Sequence, residues 1–300
     1  MHIENKRMLL RDNFLSLFKV KDDSGYNTID MLYSMQEKKE GVTDMSRMPA
    51  LFVGHGSPMN AIEENQFVEE WKHIGSRIPE PKAILAVSAH WYTKDTRIMT
   101  EETARTIYDM YGFPKELYEI VYNAKGAPHF ARLAKSMISA DVVEDNSWGY
   151  DHGTWSVLHR MYPEADIPVF QLSVDRNATV EQHYKIGQEL SGLREQGVLI
   201  FGSGNVVHNL SRVNWEMEGG YSWAEEFDDY IMENILARRD EAVLAYEKAG
   251  SSAQLAFPML DHFAPLLYVL GAAKEEDEIT VFNKACVLGS LSMTGYLFES

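Results

Sequence analysis

Five apolar runs of strand length, separated by stretches of helical periodicity, constrain this chain more than any other feature. The runs are 49–54, 82–88, 167–174, 198–202 and 279–288, and the helical patterns cover roughly 61–75, 128–139, 179–196, 223–237 and 263–272. A strand buried on both faces reads as continuous apolar sequence, and alternation of such runs with helices implies a mostly parallel sheet covered on each side. The expectation is an α/β fold: a single domain with a central, mostly parallel (mixed) sheet flanked by helices on both faces. Three of the runs lead into a histidine through small residues. Gly54-His55-Gly56, Ser88-Ala89-His90-Trp91 and Gly202-Ser203-Gly204-Asn205-Val206-Val207-His208 each follow an apolar segment. In an open α/β sheet these positions lie at the carboxyl edge, where strand ends converge on one crevice.

The length of 300 residues would allow two domains, but the regular alternation from Met48 onward favours one. Residues 1–47 differ: they are charged and end in Gln36-Glu37-Lys38-Lys39-Glu40-Gly41, so they read as an N-terminal extension preceding a catalytic domain over 48–300. A formal net charge of −17 opposes binding to nucleic-acid backbones and anionic lipid surfaces, and no segment is long and apolar enough to span a membrane. Cys286 is the single cysteine, which rules out an intrachain disulfide and leaves nitrogen and oxygen as the donors for any metal. With no secretory pattern at the N-terminus, the expected compartment is the cytoplasm. The sequence says nothing of oligomeric state.

Imidazoles gathered at a sheet edge point to a mononuclear metal. His262, between Asp261 and a helix opening with Pro265, is a fourth candidate, with a structural cap as the rival reading. His208 suits either a ligand or a proton shuttle, with Asn205 or Asn209 available to fix its tautomer. A fifth, His152, sits in Trp148-Gly149-Tyr150-Asp151-His152-Gly153-Thr154-Trp155, a segment too rich in glycine and aromatics for regular structure, and reads as a mobile acid/base. The insertion 92–127, crowded with Tyr108, Tyr111, Phe113, Tyr118 and Tyr122, is either a substrate lid or a packed loop. No Gly-x-Ser-x-Gly elbow and no phosphate-binding loop is present.

Six ordered segments together carry a resemblance: 47–60, 88–91, 148–155, 203–210, 265–271 and 289–293. Over about Met48 to Met293 the chain resembles the DOPA-type class III extradiol ring-cleavage dioxygenases. The resemblance implies a mononuclear non-haem site that inserts O2 into a catechol such as L-DOPA, by 4,5-cleavage, to give a muconate semialdehyde. It implies His55, His90 and His262 as metal ligands, His208 as a further ligand or neighbouring acid/base, and His152 as the catalytic histidine. The broader class carries a glutamate where this chain has His262. Three neutral imidazoles suit Zn2+ as well as Fe2+, so one divalent ion is expected with its identity open. Two rivals remain: a zinc-dependent hydrolase using the same histidines, and a non-catalytic metal-binding protein with a closed shell.

Overall fold

The computed structural model describes residues 47–300; the N-terminal extension read over 1–47 lies, except for Arg47, outside the described residues. Arg47 itself ion-pairs with Glu276 and with buried Asp277.

One eight-stranded mixed sheet organises the rest. In chain order its strands are β1 (Ala50–Gly54), β2 (Ala83–Thr93), β3 (Arg97–Ile98), β4 (Val143–Glu144), β5 (Val169–Asp175), β6 (Val198–Gly204), β7 (Glu278–Phe282) and β10 (Gly295–Glu299), while β8 (Cys286–Val287) and β9 (Leu291–Ser292) form a separate two-stranded ribbon. The spatial order is β4-β3-β5-β2-β6-β1-β10-β7. The central four, β5-β2-β6-β1, are parallel, and β10 and β7 extend the β1 edge antiparallel. The helices are α1 (Gln66–Arg77), α2 (Pro128–Met137), α3 (His152–Met161), α4 (Val180–Leu190), α5 (Ser222–Leu236), α6 (Asp240–Leu244), α7 (Ser251–Ala256) and α8 (Ala264–Ala272).

The continuous apolar runs are explained by burial on both faces. Ala50, Phe52, Leu85, Val87, Phe170, Leu172, Val198 and Ile200 enter the core beneath α4, α5 and α8. The alternating residues Leu51, Val53, Ile84, Ala86, Val169, Leu199 and Phe201 enter the core beneath α1 and α3. Each strand thus gives its period-two alternation to two apolar layers, which removes the polar face that would otherwise mark it.

Three expectations need correction. The run 279–288 is two strands, because Asn283 turns into the left-handed region at φ 52° between β7 and β8. The final strand β10 was not anticipated, although Tyr296 and Phe298 face one core and Leu297 the other. The 148–155 segment is helical from His152 onward, where Asp151 caps α3 by accepting from Thr154 N–H at 3.1 Å, and irregular only before it. The insertion after β2 is only partly packed: Leu117 and Tyr122 are buried, while Tyr108, Tyr111 and Val121 are exposed. Among the described residues no helix is long and apolar enough to cross a membrane.

Candidate metal centre

The carboxyl edge of the parallel strands brings five histidines together. His55 follows β1, its N–H bonded to Gly204 O at 3.0 Å. His90 lies inside β2, which runs on past the expected end at 88. Between Val87 and Tyr92 five steps along β2 match two along β5, and this irregularity turns His90 toward the crevice. His208 follows β6, its N–H held by Ala256 O at 2.8 Å. His262 precedes α8, and its carbonyl accepts from Asn205 N–H at 2.9 Å. His152 opens α3.

Two close approaches need glycine. A Cβ on Gly153 would lie 2.6 Å from Ser88 Oγ and 2.8 Å from His90 Cδ2, so the start of α3 reaches His90 only without a side chain there. A Cβ on Gly204 would meet His262 O at 2.1 Å.

The ring centroids of His55, His90 and His262 form a nearly equilateral triangle, with separations of 5.1, 5.3 and 5.0 Å. An ion about 2.0–2.1 Å from a ring nitrogen lies about 3.2 Å from that centroid, so tetrahedral neighbours have centroids about 5.2 Å apart. The triangle matches that spacing. Ligand-atom distances select a different set: among the described residues, the grouping with one nitrogen each within 4.8 Å of one another is His55, His90 and His152. The His90 and His152 centroids, however, are 3.8 Å apart, closer than the roughly 4.5 Å required even by ligands at right angles around such an ion. His208 stacks on His262 at 3.4 Å with planes 4° apart. An ion in the plane of one of these rings is out of the plane of the other, so the pair cannot donate in-plane lone pairs to one ion.

Hydrogen bonds orient the rings. Ser203 Oγ has one proton and lies 2.6 Å from Gly153 O, which can only accept; the hydroxyl therefore accepts from His55 Nδ1–H at 3.0 Å. This leaves His55 Nε2 with its lone pair free, 3.2 Å from His90 Nε2. Both nitrogens of His262 are buried without a hydrogen-bond partner, although Asp261 Oδ1 lies 3.2 Å from Nδ1. A buried imidazole left orphaned beside two other convergent rings fits a metal ligand. Asn205 and Asn209 do not reach an imidazole: their amides bind the carbonyls of Ser292 and Leu255, at 2.7 Å each. The tautomer-fixing contact expected at His208 is made instead by Ser203 at His55.

Burial, reinforced by the surrounding imidazoles, drives the pKa of His55 and of His90 well below the ordinary histidine value. Burial first, then His262 and His152, pulls His208 down to about 2. Neutral rings keep the lone pairs that a divalent ion needs.

Asp109 was not anticipated. It comes from the aromatic insertion, where Ile107 N–H bonds Tyr150 O and Tyr150 N–H bonds Arg105 O, both at 2.8 Å. Two residues beyond this pairing, Asp109 Oδ1 accepts from the backbone N–H of His152 at 2.8 Å and Oδ2 lies 2.9 Å from His152 Nδ1. The same Oδ2 lies 3.4 Å from His90 Nδ1.

Fold and cluster together define a mixed-sheet protein with a histidine centre at its carboxyl edge. The chain belongs to the LigB family of extradiol ring-cleaving dioxygenases, matching the catalytic LigB subunit of aromatic ring-opening dioxygenase over residues 43–298. It is 42% identical over 262 residues to the 4,5-DOPA dioxygenase extradiol of Escherichia coli K12, spanning 85% of this chain and 96% of that one. The Beta vulgaris protein of the same name is 38% identical, with 83% and 96% covered. A crystal structure of an Escherichia coli K12 protein described as uncharacterized superposes with a TM-score of 0.74 at 38% identity, covering 84% of this chain and 99% of the other. The chain is thus an enzyme that opens aromatic rings with O2.

Proposed function

We propose that this enzyme cleaves a catechol of the L-DOPA type at the 4,5 bond to give a muconate semialdehyde, with His55, His90 and His262 holding one divalent ion. The observation that carries the ligand assignment is the centroid triangle, joined by the orphaned nitrogens of His262. The substrate assignment rests on the names of the relatives from Escherichia coli and Beta vulgaris. When bound, Fe2+ would supply Lewis acidity that acidifies the catechol hydroxyls and a redox-active centre for O2.

The chain's own residues do the remaining work. Ser203 keeps the proton of His55 on Nδ1, so that Nε2 faces inward. His152, whose Nδ1 faces the Asp109 carboxylate, offers Nε2 to take a proton from a catechol hydroxyl and to return it as the ring opens. His208, stacked flat on His262, stands outside the ligand set and supports that ring's orientation while remaining the competing proton carrier. Gly153 lets the start of α3 pack directly against His90.

The reading takes Fe2+ as the ion for catalysis, while three neutral imidazoles accept Zn2+ equally well, so the protein as purified can carry Zn2+. The cytoplasm is the compartment this reading favours, supported by the lone buried Cys286.

Oxygen-electrode assays on iron-reconstituted protein test the reading. O2 uptake with L-DOPA, together with a yellow product absent under anaerobic conditions, is the expected result. Turnover of a hydrolysable substrate by the Zn2+ form without O2 would instead favour a hydrolase.

A further inference from the structure

We propose that Asp109 is a positioning residue that fixes the tautomer and the direction of His152; the proposal deepens the acid/base role given to His152 above and rests on it. The geometry is a two-point clamp. One carboxylate oxygen takes the backbone N–H of His152 at 2.8 Å, and the other lies 2.9 Å from Nδ1 of the same residue. A carboxylate can only accept, so the ring proton must be on Nδ1, and Nε2 is left to face the neighbouring imidazoles. The side chain of Asp109 is only 13% exposed and that of His152 10%, so water competes poorly for either contact.

The fold delivers this pairing across a long sequence gap. The bridge between Thr106 and Tyr150 runs parallel, and it carries Asp109 alongside the first turn of α3. His152 needs an outside partner there, because Asp151 is already occupied: its Oδ1 accepts from Ser88 Oγ at 2.6 Å and from Thr154 N–H, and its Oδ2 from Trp148 Nε1 at 3.1 Å.

Asp109→Asn is nearly isosteric. Its amide oxygen can keep the backbone contact while the NH2 group faces Nδ1, which must then accept, so the ring proton moves to Nε2. The nitrogen that should take a proton from substrate is thereby blocked. Turnover should fall by about 10²–10⁴-fold with KM little changed, the range for loss of a general acid–base group. Because Asp109 acts through His152, adding Asp109→Asn to His152→Ala should cost nothing further, whereas a residue that merely braces the fold would add its own loss.

The test independent of activity uses full-length protein carrying 15N-histidine and loaded with diamagnetic Zn2+. Long-range 1H–15N correlation distinguishes protonated from bare ring nitrogens, and comparison with His152→Gln identifies the His152 signals. A proton on Nδ1 in the parent protein that shifts to Nε2 in Asp109→Asn supports the proposal, whether or not any catechol is cleaved; absence of ring opening would count against the proposed function alone. A bare Nδ1 in the parent, or an unchanged tautomer in Asp109→Asn, overturns it. Loss of metal from Asp109→Asn would also overturn it, by placing the carboxylate's work at His90.

Discussion

Ser203→Ala separates a metal-orienting hydroxyl from an ordinary buried one. Ser203 is fully buried and its Oγ joins two groups, donating to Gly153 O at 2.6 Å and accepting from His55 Nδ1 at 3.0 Å. Removing it leaves a buried carbonyl and a buried N–H unpartnered, at about 1–3 kcal/mol each, so stability should fall by about 2 kcal/mol or more. It also frees the His55 ring to rotate or change tautomer. Loss of such an outer contact typically weakens metal binding about 10–100-fold, equivalent to about 1.4–2.7 kcal/mol. Competition for Zn2+ against a chromophoric chelator measures the second effect, and thermal unfolding of the metal-free protein measures the first. Ser292→Ala is the control, because that equally buried hydroxyl binds Asp228 Oδ1 at 2.7 Å and serves no imidazole. It should lose stability and keep its metal affinity. Equal metal affinities in Ser203→Ala and the parent would refute the tautomer argument.

Other consequences can be checked singly. His152→Ala should retain its metal by elemental analysis while turnover drops by roughly 10²–10⁴-fold; loss of the metal would move His152 into the ligand set. His55→Ala and His90→Ala should each empty the site. Gly153→Ala drives a Cβ into Ser88 Oγ and His90, so it should lower metal affinity as well as stability, read by the same chelator assay. His183, buried against Tyr268 OH at 2.9 Å, has its pKa lowered by burial to about 4. A depressed folded-state value means that the unfolded chain takes the proton first, so this contribution to stability is complete above about pH 6.5 and is lost as pH falls toward 4, about 3 kcal/mol in all. Denaturant titrations of His183→Gln should show a shallower loss over that window than the parent; parallel curves would contradict the assignment.

The parts of this enzyme legible in its sequence are those set by local pattern. Two-sided burial writes the central strands as continuous apolar runs, and the small residues around His55, His90 and His208 mark the carboxyl edge. What stayed hidden depends on contacts between distant segments. Gly153 and Thr154 weaken the helical signal of α3, and the reason for the glycine, room for His90, exists only in the folded chain. The continuation of β2 through His90 is set by its irregular pairing with β5, not by composition. Asp109 has no distinguishing neighbours; only the pairing of Ile107 with Tyr150 makes it a partner of His152. β10 becomes a strand by inserting antiparallel between β1 and β7, a pairing that no local signal announces.

The central claim is that three imidazoles from separate segments share one ion while two others stand beside it. Anomalous diffraction at the iron edge, on crystals grown anaerobically with Fe2+, tests it most directly. The account predicts one peak per chain, about 2.0–2.2 Å from a nitrogen of each of His55, His90 and His262 and out of the ring plane of His208. A peak bound by His152 or His208 in place of His262, or no ordered ion at this edge of the sheet, would contradict it.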